Sequence, residues 1–281
     1  MNIIITGCKG LLGSELSHLF CDNHNVFGIY LPEFDISDKK SIESFIINKK
    51  ADIVINCAAM TNVDLCESKK NDAFKANSLG VNVLANLCEK YNVKLVHYST
   101  DYIFDGNKGL YYINDIPNPI NYYGASKLYG EFEIIKRKNL EWLIIRTNVL
   151  YGSMGEANFI NWLNNSLVNN KKVNIIDDQF NNPCFIDDLV DFTEFVIDKN
   201  LWNNIFHAGS KDYMNRFDFA LKFAQIMNYD KKLISSVKTK DFNQKATRPL
   251  KGGLDIKETE KLTGFKFNLT EDNFIKLKKT L

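Results

Sequence analysis

The sequence predicts a doubly wound parallel α/β sheet with a smaller C-terminal lobe, and three observations predict it. Short apolar runs alternate with longer stretches of helical period, the pattern that βαβ units leave in a chain. The first of these runs passes directly into a glycine-rich turn and an apolar helical stretch. The alternation then ends near residue 207, and only short helical and irregular segments follow.

Candidate strands lie at 3–6, 26–31, 52–56, 94–99, 142–146 and 204–207, each short and apolar enough to be buried on both faces. Candidate helices fill the gaps at 11–21, 39–48, 72–91, 122–138 and 187–197, and none of the five prolines interrupts them. After residue 146 the rhythm loosens into a helical stretch at 159–168, a short strand at 173–176 and a polar turn at 177–183. The expected division is a core of residues 1–152 and 186–207, with a second lobe built from 153–185 and 208–281.

A chain of 281 residues has room for such a core and one modest lobe. Its 35 basic and 34 acidic side chains leave a net charge of +1, which argues against nucleic acid as a partner because phosphate-backbone binding needs a clustered basic surplus. The balance is uneven along the chain: residues 231–281 carry 13 basic against 6 acidic side chains, and residues 1–230 carry 22 against 28. A basic lobe facing an anionic small ligand and a plain solvated tail both fit that split. The six cysteines show no C-x-x-C pair or metal-ligand spacing and read as reduced thiols, so no metal is expected. With no signal-like segment and no apolar run near the length of a membrane span, the expectation is a cytoplasmic protein that does not engage a membrane.

Two segments carry chemistry. Thr6-Gly7-Cys8-Lys9-Gly10-Leu11-Leu12-Gly13 sits between the first strand and first helix, where glycines allow a tight turn and bring backbone N–H groups close to a pyrophosphate. Tyr123-Gly124-Ala125-Ser126-Lys127 places a phenol and an ammonium one helical turn apart, on one face. A fixed cation near a phenol favours its ionised form and suits it to general acid work. Tyr98-Ser99-Thr100-Asp101-Tyr102-Ile103-Phe104 ends a central strand, and Thr100 there offers a hydroxyl to orient a carbonyl.

These segments, together with Asn56-Cys57-Ala58-Ala59, Ile145-Arg146-Thr147, Asp177-Asp178-Gln179-Phe180, Arg248-Pro249 and Leu254-Asp255, resemble the extended short-chain dehydrogenase/reductases. Within them the chain is most similar to the RmlD-like, or dTDP-4-dehydrorhamnose reductase, family. The resemblance implies a Rossmann-type core, a substrate-binding C-terminal lobe, and reduction of the keto group of a nucleotide-activated deoxysugar by NAD(P)H. It implies that Tyr123 gives a proton to the carbonyl oxygen, that Lys127 binds the nicotinamide ribose and lowers the tyrosine pKa, and that Thr100 bonds the carbonyl. Gly7, Cys8, Lys9, Gly10, Leu11, Leu12 and Gly13 would line the pyrophosphate, Asp35 and Ile36 would lie near the adenine, and Cys57, Ala58 and Ala59 would pass beneath the cofactor. Asp101, Tyr102, Asn148, Val149, Asn158, Gln179 and Arg248 complete the expected substrate contacts, Arg248 because a guanidinium forks onto phosphate oxygens, while a capping or loop role is the alternative for Asn158 and Gln179.

Departures from the family pattern sharpen this reading. Related 4,6-dehydratases place a glutamate where this chain has Tyr102, which cannot abstract a proton as a carboxylate does. Val149 stands where rhamnose-forming enzymes carry an aromatic, so the sugar stays open. The end of the second strand, Gly28-Ile29-Tyr30-Leu31-Pro32-Glu33, has no acid at the position expected to hold an adenosine 2′-hydroxyl, and Lys9 is available to a 2′-phosphate, which favours NADPH; Glu33, if the strand ends later, favours NADH. An epimerase, and a non-catalytic regulatory subunit resembling the β subunit of methionine adenosyltransferase, are the competing readings. A homodimer also stays open.

Overall fold

The computed structural model describes residues 1–153 and 158–280. The chain runs β1 (Asn2–Thr6), α1 (Leu11–Cys21), β2 (Asn25–Ile29), α2 (Lys39–Lys49), β3 (Ile53–Asn56), α3 (Val63–Ser68), α4 (Lys70–Phe74), α5 (Gly80–Tyr91), β4 (Lys94–Thr100), α6 (Tyr122–Ile135) and β5 (Trp142–Thr147). It continues through β6 (Leu150–Tyr151), α7 (Phe159–Val168), β7 (Val173–Ile176), β8 (Phe180–Asn181), β9 (Cys184–Phe185), α8 (Ile186–Asp198) and β10 (Asn204–His207). Last come β11 (Met214–Asn215), α9 (Arg216–Met227), β12 (Ile234–Val237), α10 (Lys257–Thr263) and α11 (Thr270–Leu277).

The expected parallel sheet is present, with six strands in the order β10-β5-β4-β3-β1-β2. Its central strands carry apolar side chains on both faces because both faces are covered, and their C-terminal ends carry polar residues. Ile3, Ile5, Ile53, Ile55, Leu143 and Ile145 face α1 and α8, where Leu12, Leu16 and Phe20 repeat every fourth residue to make one apolar stripe. Ile4, Val54, Leu95 and Ile144 face α2, α5 and α6. The strand order reverses between β1 and β3, the switch point outside which ligands bind in such sheets. A separate core joins α7, α9 and α11 to the β7/β12 pair through Phe219, Phe223 and Phe274.

Local signals account for several helix ends. Asp38 caps α2 by accepting from the Lys40 and Ser41 amides, and Asn121 caps α6 by accepting from the Gly124 amide at 2.8 Å. One expectation changes: the helix predicted over 72–91 is two helices joined by a π-helical turn at Lys75–Leu79. The inserted residue aims Asn77 out of the helix, so that its Oδ1 accepts from Met60 N at 2.8 Å and its Nδ2 donates to Ser126 Oγ at 2.9 Å.

The edge strand β10 is locked by His207. Its backbone N donates to Thr259 Oγ1 at 2.9 Å, and its buried ring lies between the Asp255 carbonyl and the Arg146 guanidinium. Burial, reinforced by Arg146, lowers its pKa to about 3. A depressed histidine contributes stability that is complete above its unfolded pKa, near 6.5, and is lost as pH falls toward the folded value. Each pH unit in that window costs about 1.4 kcal/mol for this group. Urea unfolding of His207→Gln should therefore fall less steeply than that of the parent chain between pH 6 and pH 4, and parallel stability curves would show that His207 is not buried in its neutral form.

Candidate active site

The C-terminal ends of β1, β3, β4 and β5 open onto one cleft. On its cofactor side Gly7 adopts φ +65° against the 57–59 loop, and a Cβ there would sit 2.9 Å from Ala58 N. Gly13 is tighter still, since its Cβ would fall 2.3 Å from the Gly7 carbonyl oxygen. Helix α1 opens at Gly10 with no side chain bonded to its first amides and no acid in its first turn. Such a terminus suits an anion.

The residues around this loop take distinct positions. Leu12 is buried in the sheet core, Leu11 packs at its edge, and the Cys8 side chain covers Gly28 on β2. Lys9 holds its ammonium 3.6 Å from the centre of the Tyr30 ring, just beyond β2. Asp35 is bonded to Ser37 and paired with Lys75 at 2.7 Å, so its carboxylate is already engaged, and Ile36 is buried beneath Gly80. Cys57, whose thiol is pushed up by burial, and Ala58 continue from β3, their amides donating to the Thr6 carbonyl and hydroxyl respectively. Ala59 follows them, half-buried.

Strand register builds the row behind this wall. Thr6, Asn56 and His97 are partners across β1, β3 and β4. Thr6 Oγ1 donates to Asn56 Oδ1 at 2.6 Å, and Asn56 Nδ2 lies 2.9 Å from His97 Nδ1. Lys127 ends the row, its Nζ donating to the Tyr98 carbonyl at 2.6 Å and lying 3.5 Å from His97 Nε2. Burial lowers the Lys127 pKa to about 8, against the raising effect of Glu131. His97 was not singled out as a site residue from sequence, yet strand alternation places it on the face that α6 covers, which is the signal that finds it.

Tyr123, on the first turn of α6, lies beside Thr100 at the end of β4. Burial pushes its phenol above the usual range, and the Thr100 hydroxyl beside it pulls it back. The Lys127 ammonium, one turn further along α6, is held by the Tyr98 carbonyl. A phenol held protonated at neutral pH is a proton donor, and the adjacent hydroxyl is placed to hold the same oxygen. Asp101 is raised to about 6 by burial, bonds the Gly253 amide at 3.1 Å and so ties the β4 end to the C-terminal segment. Tyr102 packs edge-on to Tyr123, with ring centres 5.7 Å apart.

The remaining expected contacts divide. Asn148 bonds Asn182 at 2.7 Å and keeps its Oδ1 buried without a partner, as do the Ser99 and Thr147 hydroxyls at the ends of β4 and β5. Val149 follows at the half-buried start of the lobe, its carbonyl accepting from Cys184 N. Asn158 caps α7 by accepting from the Asn161 amide. Gln179 is buried with its amide donating to Thr239 and Gln244, inside the lobe. Arg248 is paired with Asp64 at 2.8 Å and donates to the Ala246 carbonyl.

A dinucleotide fits this cleft on two grounds: the glycine positions that no side chain could share, and the buried unpartnered oxygens at the ends of β4 and β5. The chain matches the family model described as RmlD substrate binding domain over residues 1–276. It belongs to that family. This RmlD-family chain is 32% identical to a probable low-salt glycan biosynthesis reductase of Haloferax volcanii, over 99% of the chain and 97% of the relative. It is 30% identical to the dTDP-4-dehydrorhamnose reductase of Aggregatibacter actinomycetemcomitans, with 93% of each covered. The solved dTDP-4-dehydrorhamnose reductase of Bacillus anthracis, in complex with NADP, superposes with a TM-score of 0.92 at 28% identity, covering 98% of this chain and 97% of that one.

The glycine contact is testable. Gly13→Ala should force the loop and α1 apart, weakening NADPH binding about tenfold or more while costing about 1–3 kcal/mol of stability. Titration followed by nicotinamide fluorescence reads the affinity, and an unchanged dissociation constant would remove the loop from the cofactor site.

Proposed function

We propose that the chain uses NADPH to reduce the 4-keto group of a nucleotide-activated deoxysugar, in the manner of dTDP-4-dehydrorhamnose reductases, within cell-surface polysaccharide or other deoxysugar assembly. The observation that carries this reading is the buried Tyr123 phenol beside the Thr100 hydroxyl, at the strand ends that also carry the glycine cradle. In this chemistry the reduced nicotinamide supplies the hydride. The protein's own residues supply orientation and the proton. Thr100 holds the carbonyl oxygen, and Tyr123 gives it a proton as negative charge develops there. Lys127, anchored by the Tyr98 carbonyl and His97, presents its ammonium to the cofactor's ribose.

Tyr102 at the second place after Thr100 supports a reductase over a dehydratase, since a phenol raised by burial is not a carboxylate base. Lys9 beside Tyr30, together with the engagement of Asp35 by Lys75, supports the 2′-phosphate of NADPH over a free ribose hydroxyl. In this reading the lobe built from the described residues of 158–185 and 208–280 covers the sugar nucleotide.

Tyr123→Phe tests the assignment. With dTDP-4-keto-6-deoxyglucose and NADPH, turnover should fall by about 10²- to 10⁴-fold, with NADPH affinity kept within about twofold of the parent. Full turnover in this variant would end the reading.

A further inference from the structure

Two guanidiniums lie on the lobe side of the cleft, and only one of them is neutralised. Arg248 is held by the Asp64 carboxylate and the Ala246 carbonyl. Arg216 is different. Among the described residues its side chain makes no hydrogen bond or ion pair, and its Nε is buried without a partner. The guanidinium carbon lies 5.9 Å from the centre of the Phe159 ring, and its charge acts on Asp101 and Tyr102, the two residues that follow Thr100. A buried donor left unpaired is costly, and five guanidinium donors match the oxygens of a phosphate.

The backbone beneath Arg216 is firmly placed. It is the first residue of α9, and Asn215 before it caps the helix by accepting from the Asp218 amide at 2.7 Å. Its own amide donates to the Gln179 carbonyl at 3.3 Å, and β11 pairs with β8 immediately before it. Neither the proton path through Tyr123 nor the Lys127 row uses it.

We propose that Arg216 is the residue that binds the diphosphate of the sugar nucleotide, with the Phe159 ring supporting its guanidinium. The inference rests on the ketoreductase reading above and goes beyond it. With the C4 carbonyl at Thr100 and Tyr123, the diphosphate on C1 lies across the sugar ring, toward the lobe. Arg248 already shares its charge with Asp64, whereas Arg216, among the described residues, makes no hydrogen bond or ion pair through its guanidinium that an incoming dianion would have to displace.

The test uses the full chain with dTDP as the probe and thymidine, which has no phosphate, as the control. Arg216→Met should raise the KM for dTDP-4-keto-6-deoxyglucose and the inhibition constant for dTDP by about tenfold or more. The KM for NADPH and the inhibition constant for thymidine should stay within about twofold of the parent, and kcat should fall less than about threefold. Arg216→Lys, which keeps the charge and loses the fork, should give an intermediate rise and guards against a folding defect in the methionine variant. An unchanged dTDP constant in both variants overturns the inference while parent turnover leaves the ketoreductase reading standing. A fall in kcat with no change in dTDP affinity also overturns it, and makes Arg216 a counter-ion of Asp101. A parent chain that neither turns over the keto-sugar nor binds dTDP fails the ketoreductase reading itself.

Discussion

The cleft depends on one row of side chains, Thr6, Asn56 and His97, that strand register sets side by side across β1, β3 and β4. All three are buried, and each supplies what its neighbour lacks. A slip of β3 by one residue would turn Asn56 to the opposite face. Thr6 and His97 would then be left unpaired, at about 1–3 kcal/mol for each buried polar group without a partner. The same slip would displace the 57–59 loop, whose backbone touches Gly7. Register, loop spacing and the seat of Lys127 are therefore one constraint seen at three places.

Helix α6 inherits its position from that row. Lys127 plugs into the Tyr98 carbonyl, Ser126 is bonded by Asn77 and Ser78, and two glycines let the helix approach its neighbours closely. A Cβ at Gly124 would fall 2.0 Å from the Tyr102 carbonyl oxygen, and one at Gly130 would fall 2.5 Å from that of Asn77. Tyr123 sits between the Asn121 cap and these anchors, so its position beside Thr100 is set by contacts on both sides of it. The π-helical turn belongs to the same arrangement, since without it Asn77 would not reach Met60 and Ser126 together.

What could be read from sequence follows from the range of each signal. The strand and helix pattern and the glycine loop are local, and periodicity together with turn chemistry exposes them. The helix over 72–91 was misdrawn because one inserted residue leaves the apolar pattern on both sides intact, while its cause, Asn77 bonding Met60 and Ser126, is a contact between distant segments. Lys127 was legible as a companion of Tyr123 on one helix face, but the direction of its ammonium depends on the Tyr98 carbonyl, which no spacing reveals. Arg216 lies in no motif. Its distinguishing property is that, among the described residues, its guanidinium makes no hydrogen bond or ion pair, and such a property depends on contacts between distant segments.

The uneven charge along the chain has a similar resolution. Residues 231–281 are basic and the preceding part is acidic, and several cations of the tail meet acids of that preceding part: Arg248 with Asp64, Lys238 with Asp177 and Lys276 with Asp188. The Lys238 pair, whose ammonium is exposed, contributes at most about 1 kcal/mol, whereas the mostly buried Arg248 guanidinium ties the returning chain to α3. These pairs also consume much of the basic surplus that a count of the tail suggests is free for a ligand. Among the described residues, Arg216, which comes from the acidic part of the sequence, makes no ion pair, whereas Arg248 of the basic tail is paired with Asp64. A net count along the chain does not show which cations keep their charge once the fold has made its own pairs.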